Sequence, residues 1–168
     1  KGVCTEENCR RMIESCHTYG VPVVVDPKGT DWTKYAYADY ITPNLKEINQ
    51  VLAEPVHNED RAVEVAAHYV MNRFNIRNVI VTRSEEGLSL IRDDENVHIP
   101  TKAQEVFDVS GAGDTVIAVF AMGLAGGMSP ADSAYMANLA ASVVVAKLGT
   151  YAVSREELMA VLKGEAEK

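Results

Sequence analysis

Asp108-Val109-Ser110-Gly111-Ala112-Gly113-Asp114-Thr115 joins a β-prone segment, residues 105–107, to an apolar run with helical character, residues 115–124. Two glycines around one alanine predict a tight turn whose backbone N–H groups lie unpaired at the start of the helix. Unpaired amides and the helix dipole together make such a terminus a binding site for anions. A carboxylate there, Asp114, either caps the helix or accepts a proton from a nucleophile beside the bound anion. The sequence of the turn leaves both roles open.

The composition indicates one compact domain with a sizeable core, because 47% of the 168 residues are hydrophobic and 24% are charged. No run approaches the roughly 18 apolar residues that a membrane span requires, and no signal-peptide pattern opens the sequence. The net charge of -8 disfavours nucleic acid and anionic membranes as partners. We therefore expect a small-molecule substrate.

The cysteines and histidines indicate neither a disulfide framework nor a zinc site. The three cysteines, Cys4, Cys9 and Cys16, are odd in number and include no Cys-x-x-Cys pair. The four histidines are scattered along the chain, without the spacing of metal ligands. These residues predict reduced thiols and a cytoplasmic location.

Apolar strands alternate with helices along the chain. The patterns predict strands over residues 21–25, 40–42 and 79–82, and an antiparallel pair over residues 87–91 and 96–99. They predict helices over residues 5–19, 45–52, 58–74 and 111–123, another from 129 towards 147, and a last one from 154. In the first helix, Met12 and Ile13 are expected to face the core with Cys9 and Cys16. Such alternation indicates an α/β protein with a mostly parallel sheet.

Polar residues follow three of the predicted strands. Asp26-Pro27-Lys28, Thr42-Pro43-Asn44 and Thr82-Arg83-Ser84 each stand where an apolar strand ends. In open α/β sheets, ligands bind beyond the carboxyl ends of the strands. We therefore expect one rim of the sheet to collect five side chains: Lys28, Asn44, Glu47, Arg83 and Asp114.

The stretch 108–115 resembles the C-terminal signature of the ribokinase-like (PfkB) sugar kinases. The resemblance implies a three-layer α/β/α sandwich with a mostly parallel sheet, and transfer of a phosphoryl group from ATP, with Mg²⁺, to a sugar hydroxyl. It implies that Asp114 accepts the hydroxyl proton, and that the amides of Gly111, Ala112 and Gly113 form the anion hole for the phosphoryl group. Positioning and charge stabilisation are what this chemistry needs. The loop lacks the Gly-Lys-Ser/Thr ending of a Walker motif.

Asn44-Leu45-Lys46-Glu47 has two interpretations that are compatible with each other. Asn at the N-cap with Glu three residues later is typical of a capping box. The tetrapeptide also resembles the family's Asn-x-x-Glu motif, which implies that Glu47 orients water bound to Mg²⁺ and that Asn44 lies near the phosphates. Lys28 is either a further phosphate contact or a loop lysine.

Residues 82–87 resemble the family's Thr-x-Gly-x-x-Gly nucleotide loop, which implies that Thr82, Ser84 and Gly87 approach the nucleotide. Ser84 stands where that motif has its first glycine. Arg83 is interpreted either as a phosphate contact or as a solvated arginine.

Two further resemblances concern the C-terminal part of the chain. Asn138 matches a family position that lines the adenine pocket, with a polar residue tolerated at a helix edge as the alternative. Residues 147–150 resemble a segment that in several relatives encloses a monovalent cation such as K⁺. The resemblance implies that Asp108 and Ser110 contribute to this cation site.

Within the family, residues 26–31, 81–84, 100–106 and 144–150 most resemble the branch that phosphorylates heptose 7-phosphate in the synthesis of ADP-heptose for lipopolysaccharide. A ribokinase, fructokinase or adenosine kinase type and a catalytically incomplete nucleotide-binding half-domain are the alternatives. We expect residues 1–168 to form one domain, the C-terminal half of the family's fold. The N-terminal sugar-binding and lid part, through which relatives form homodimers, is absent from this sequence.

Overall fold

The structure of the chain is a computed structural model that describes residues 2–102 and 106–164. The chain divides into two compact units. The first unit comprises Lys1–Arg83 and Ser89–His98, and the second comprises Ser84–Leu88 and Ile99–Lys168. The single domain expected over the whole sequence stays a prediction. Residues 103–105 lie outside the described residues. They belong to the stretch 100–106, and residue 105 is also the first of the β-prone segment.

Helices and strands occur where the hydrophobic patterns predict them. The helices are α1 (Glu6–Thr18), α2 (Leu45–Val51), α3 (Asp60–Phe74), α4 (Ala112–Ala125), α5 (Pro130–Val145) and α6 (Arg155–Leu162). The strands are β1 (Val24–Val25), β2 (Tyr40–Ile41), β3 (Val79–Thr82), β4 (Leu88–Ile91) and β5 (Asn96–Ile99). Two single-turn 3-10 helices, Thr33–Tyr35 and Ser84–Glu86, were not expected from the sequence. Val106 and Phe107, the described end of the β-prone segment, belong to no strand.

The strands form one five-stranded sheet in the order β1-β2-β3-β4-β5. The pairs β1–β2 and β2–β3 are parallel, with Val25 opposite Ile41 and Ile41 opposite Val79. The prediction of parallel strands is therefore confirmed for this part of the sheet. Strand β1 is shorter than predicted and comprises only Val24–Val25. Directly before it, Val23 donates its amide to the Asp39 carboxylate at 2.8 Å, and its carbonyl oxygen accepts from Tyr40 N at 3.0 Å.

The core of the first unit lies around Trp32, which is fully buried. Its ring centroid is 5.7 Å from that of Phe74 in α3, and its Nε1 donates to Gly29 O at 2.9 Å. Helix α1 contributes Ile13 to this core, whereas Met12 is 64% exposed. The expected position of Met12 is therefore wrong, and α1 buries a narrower stripe than the sequence pattern indicated.

The second unit is built on helices α4 and α5, which approach closely at Gly123. A Cβ atom at that position would lie 2.6 Å from Ser133 Oγ, so a larger residue would force the helices apart. Ser129 caps α5, and Ser154 with Glu157 forms a capping box at the start of α6. Among the described residues, no helix combines the length and the apolarity that crossing a membrane requires.

We expect Gly87→Ala to lower the free energy of unfolding by about 3 kcal/mol, measured by urea denaturation. Gly87 has a φ of +83°, and an added Cβ would lie 2.2 Å from Ile99 O. The control is Gly29→Ala, because Gly29 has a φ of +84° but nothing within 4 Å of an added Cβ. Equal decreases in the free energy of unfolding in the two variants would contradict the close backbone approach at Gly87.

We also expect the stability of the chain to depend on pH through Glu157. The Ser154 amide, with the Tyr151 hydroxyl, lowers the pKa of Glu157 from 4.5 to about 2. Because the folded pKa lies below the unfolded one, this stabilisation is complete above pH 4.5 and is lost as the pH falls towards 2. Between about pH 6 and about pH 3, the free energy of unfolding measured by urea denaturation should fall less for Glu157→Gln than for the wild type. The control Glu156→Gln should keep the wild-type pH dependence, and a wild-type loss in Glu157→Gln would contradict this role.

Candidate active site

The carboxyl ends of β2 and β3 bring Asn44 and Thr82 side by side in the first unit. The two residues form a parallel β-bridge, and Thr82 donates its amide to Pro43 O at 3.0 Å. Thr82 is partly buried, and Asn44 is the N-cap of α2. The predicted meeting of strand ends at one edge of the sheet is therefore confirmed for these residues.

A capping box fixes Glu47 at the same edge. Glu47 donates its amide to Asn44 Oδ1 at 2.8 Å, and Asn44 donates its amide to Glu47 Oε2 at 2.9 Å. The capping interpretation of Asn44 and Glu47 is thus confirmed. Glu47 Oε1 points to a different partner and accepts a hydrogen bond from Lys28 Nζ at 2.9 Å. The carboxylate therefore stabilises the helix with one oxygen and reaches the rim with the other.

Lys28 lies between two carboxylates, because its Nζ also donates to Asp26 Oδ1 at 2.9 Å. Partial desolvation lowers the pKa of Lys28, but the hydrogen bonds to Asp26 and Glu47 outweigh it and raise the pKa overall. The ammonium group therefore stays charged. Because its side chain is largely exposed, it can exchange a carboxylate partner for a phosphate oxygen.

Arg83 turns away from this rim, which differs from both interpretations of the sequence. Its side chain is only 2% exposed. Its Nε donates to Asn58 Oδ1 at 2.8 Å, and its Nη1 donates to Asp60 and to Ser89 Oγ. Asn58 Nδ2 in turn donates to the carbonyl of Arg83 at 2.9 Å. The guanidinium is neither solvated nor presented to a phosphate, so we remove Arg83 from the candidate site.

His98 extends the network around Arg83. Its Nδ1 lies 2.8 Å from Ser89 Oγ, and its Nε2 lies 3.0 Å from Glu64 Oε1. The hydrogen bond from Arg83 lowers the pKa of Asp60, and the one from His98 lowers the pKa of Glu64. No local sequence pattern indicates this cluster, because its members come from distant segments of the first unit.

The loop that resembles the nucleotide loop has a left-handed residue where the family has glycine. Ser84 has a φ of +54°, a conformation that glycine adopts without strain. Gly87 N donates to Ser84 O at 3.0 Å. The backbone at Ser84 therefore has the conformation that a glycine would permit, although a side chain is present.

The start of α4 is uncapped, as the turn sequence predicts. Gly111 is the N-cap with a φ of +81°, and no side chain caps the helix. Ala112 donates its amide to Val109 O at 3.2 Å, but the amides of Gly113 and Asp114 have no partner in the described part of the chain. The Asp114 side chain is exposed and caps nothing. Of its two predicted roles, capping is therefore wrong.

Asp108 ties the loop to the end of α5. We call residues 108–114 the phosphoryl-binding loop and residues 146–150 the α5–α6 turn. Asp108 Oδ1 accepts from Ser110 N at 2.8 Å and Oδ2 accepts from Gly149 N at 3.1 Å. The hydrogen bond from Ser110, with that from Gly149, lowers the pKa of Asp108 and keeps the carboxylate ionised. The predicted proximity of Asp108 to this turn is confirmed.

Asn138 is buried in α5, with 6% of its surface exposed. Its Nδ2 donates to Pro100 O at 2.9 Å. The alternative of a polar residue tolerated at a helix edge is therefore wrong. The side chain holds the backbone that precedes residues 103–105 and keeps its carbonyl oxygen as an acceptor.

The carboxylates do not gather into a metal cage. Among the described residues, no group of three or more His, Cys, Asp or Glu side chains is arranged to hold a metal ion. Mg²⁺ commonly keeps several waters and takes only one or two carboxylates from the protein. The oxygen atoms of Glu47 fit such contact through water.

Residues 1–157 match the model of a family described as pfkB family carbohydrate kinases. The match covers most of the sequence, so the chain belongs to the pfkB family. The chain is also similar to the bifunctional protein HldE of Syntrophotalea carbinolica, with 45% identity over 159 residues. This similarity covers 94% of the chain and 32% of that relative.

Solved structures extend the similarity to the fold. Ribokinase from Thermotoga maritima has a TM-score of 0.77 and 30% identity, over 90% of this chain and 52% of its own. Arabidopsis thaliana ribokinase, complexed with ribose and ATP, has a TM-score of 0.84 and 23% identity, over 95% of this chain and 53% of its own. The predicted ribokinase-like α/β fold is confirmed. The chain spans about a third of the length of the HldE relative and about half of each ribokinase.

We expect Arg83→Lys to lower the free energy of unfolding by about 3 kcal/mol, because an ammonium group cannot replace a guanidinium that donates in three directions. Chemical denaturation measures the loss. The control is Arg61→Lys, whose side chain is 87% exposed and pairs with Glu64, and which should change stability by less than about 0.5 kcal/mol. Similar losses in both variants would contradict the structural role of Arg83.

Proposed function

We propose that this chain is the nucleotide-binding half of a sugar kinase that transfers a phosphoryl group from ATP to O1 of D-glycero-β-D-manno-heptose 7-phosphate. One observation carries the proposal: the start of α4 has unpaired amides beside an exposed carboxylate, Asp114. The 45% identity to a bifunctional protein HldE and the sequence segments of the heptose 7-phosphate kinase branch support this substrate. The product would serve the synthesis of ADP-heptose for lipopolysaccharide.

In the proposed reaction, Asp114 accepts the proton of the sugar hydroxyl, and the hydroxyl oxygen attacks the γ-phosphorus of ATP. The bond between this phosphorus and the oxygen that bridges the β- and γ-phosphates breaks, and ADP leaves. The backbone amides of Gly111, Ala112 and Gly113 stabilise the negative charge that develops on the transferred group. Fixed donors are effective here because they need no reorganisation during the reaction. The dipole of α4 further stabilises this negative charge.

Residues at or after the ends of β1, β2 and β3 contribute to the proposed nucleotide site. Lys28 and Asn44 contact phosphate oxygens, and Glu47 holds water bound to Mg²⁺. Mg²⁺ supplies neutralisation of charge on the β- and γ-phosphate oxygens when it is bound with the nucleotide. Thr82, Ser84 and Gly87 offer backbone groups to the nucleotide. The left-handed backbone at Ser84 supports this role.

In the second unit, Asn138 contacts the adenine through its amide. Asp108 and Ser110, with the α5–α6 turn, hold a monovalent cation such as K⁺. The ionised Asp108 carboxylate supports a cation at this place. We further propose that the kinase acts in the cytoplasm as a homodimer formed through a lid region outside this sequence.

A second candidate is another sugar kinase of the same family, of the ribokinase, fructokinase or adenosine kinase type. The 30% identity to Thermotoga maritima ribokinase favours this alternative over unrelated activities. Phosphorylation of a panel of heptose, pentose and hexose acceptors by the full-length protein separates the candidates. Equal turnover of ribose and heptose 7-phosphate would contradict the proposed substrate.

We expect Asp114→Asn to lower kcat of the full-length kinase by at least about 1000-fold, because the amide cannot accept the hydroxyl proton. The dissociation constant for nucleotide should change by less than about threefold, since Asp114 acts on the sugar hydroxyl. A coupled assay of ADP release measures the first quantity, and calorimetry measures the second. The control is Asp132→Asn, another first-turn aspartate, which should keep its turnover. Unchanged turnover in Asp114→Asn would remove Asp114 from the mechanism.

A further inference from the structure

The phosphoryl-binding loop rests on the α5–α6 turn within the second unit. Gly149 donates its amide to Asp108. Thr150 lies against Gly111, since a Cβ atom added to Gly111 would be 3.4 Å from Thr150 Cγ2. No side chain caps α4 at Gly111, so the loop is not oriented by a capping contact with its own helix. The position of the loop therefore depends on the position of the turn.

The α5–α6 turn has little apolar anchorage of its own. Leu148 is 88% exposed, and Gly149 has a φ of +76° and no side chain. Lys147 is about half exposed. Segments that bury few apolar contacts open at low free-energy cost. Polar contacts from outside the turn must therefore hold it.

Those contacts come from Tyr151 and Glu157. The Tyr151 hydroxyl donates to the Glu157 carboxylate, with oxygen distances of 2.9 and 3.0 Å. Lys147 Nζ lies 3.5 Å from Glu157 Oε1 and 5.3 Å from the centroid of the Tyr151 ring. Glu157 therefore contacts Lys147 near the start of the turn and Tyr151 directly after its end.

Glu157 is held firmly by its own helix. Its Oε2 accepts from Ser154 N at 3.0 Å and from Ser154 Oγ at 2.9 Å, which completes the capping box of α6. The low pKa of Glu157 keeps the carboxylate ionised at neutral pH. Hydrogen bonds to a charged acceptor are stronger than those to a neutral one. Helix α6 thus offers a fixed anchor for Tyr151.

We propose that Tyr151 is a positioning residue, which acts through the α5–α6 turn to hold the phosphoryl-binding loop in its catalytic geometry. Glu157 is linked to Tyr151 by hydrogen bonds, Tyr151 to Gly149 by the backbone through Thr150, and Gly149 to Asp108 by a hydrogen bond. No atom of Tyr151 is needed at the reacting groups. This inference rests on the proposed kinase reaction, because it assigns the loop a catalytic geometry. A small displacement of a positioned group is enough to slow a reaction strongly.

The test is Tyr151→Phe in the full-length kinase, which removes one hydroxyl and keeps the ring. We expect kcat to fall about tenfold while KM for ATP and for the sugar phosphate changes by less than about twofold. Hydrogen exchange followed by NMR should show faster exchange of the Ser110 and Gly149 amides, by about tenfold. Both amides donate to Asp108, so they report the geometry of the loop directly.

The matched control is Tyr135→Phe, which removes the hydroxyl of a half-exposed tyrosine on α5. It should keep the wild-type kcat and the wild-type exchange of both amides. A wild-type kcat in Tyr151→Phe, or the same loss in Tyr135→Phe, would overturn the inference. So would a rise in KM for ATP as large as the fall in kcat, because that result indicates a general loss of the site.

The exchange measurement separates this inference from the proposed function. If the wild-type protein phosphorylates no sugar, the proposed function fails, and exchange at Ser110 and Gly149 still decides whether Tyr151 holds the loop. If the wild type is active and Tyr151→Phe matches it in kcat and in exchange, the positioning role alone is wrong.

Discussion

The candidate active site depends on one constraint, which is that the Gly113 and Asp114 amides at the start of α4 stay unpaired among the described residues. Gly111 achieves this with a left-handed backbone and no side chain, where serine or aspartate would cap the helix and consume its donors. The loop before it is instead stabilised by Asp108, whose carboxylate binds the amides of Ser110 and Gly149. One carboxylate thus orders the loop while the donors at the helix start are kept for an anion.

In the first unit, the same side chains stabilise the fold and contribute to the candidate active site. Glu47 caps α2 through one carboxylate oxygen and meets Lys28 through the other. Parallel pairing of β2 and β3 places Asn44 beside Thr82, so the strand order itself builds the rim. Arg83 has a different purpose, because its buried guanidinium joins segments that are far apart in the sequence.

Features whose partners lie within a few residues could be predicted from the sequence. The capping boxes at Asn44 and Ser154 are examples, as is the uncapped glycine turn. The parallel strands were also predictable, from their continuous apolar runs. The partners of Arg83 could not be predicted, because Asn58 lies 25 residues away and the contact depends on tertiary folding. The left-handed conformation of Ser84 is likewise imposed by its surroundings rather than by its own preference.

The central claim is that the uncapped start of α4 and Asn138 belong to a nucleotide site. Calorimetric titration of this chain with a non-hydrolysable ATP analogue, with and without Mg²⁺, tests it most directly. We expect saturable binding that weakens at least about tenfold in Asn138→Ala, because the adenine loses a polar partner. Absence of binding by a chain that circular dichroism shows to be folded would contradict a nucleotide site at these residues.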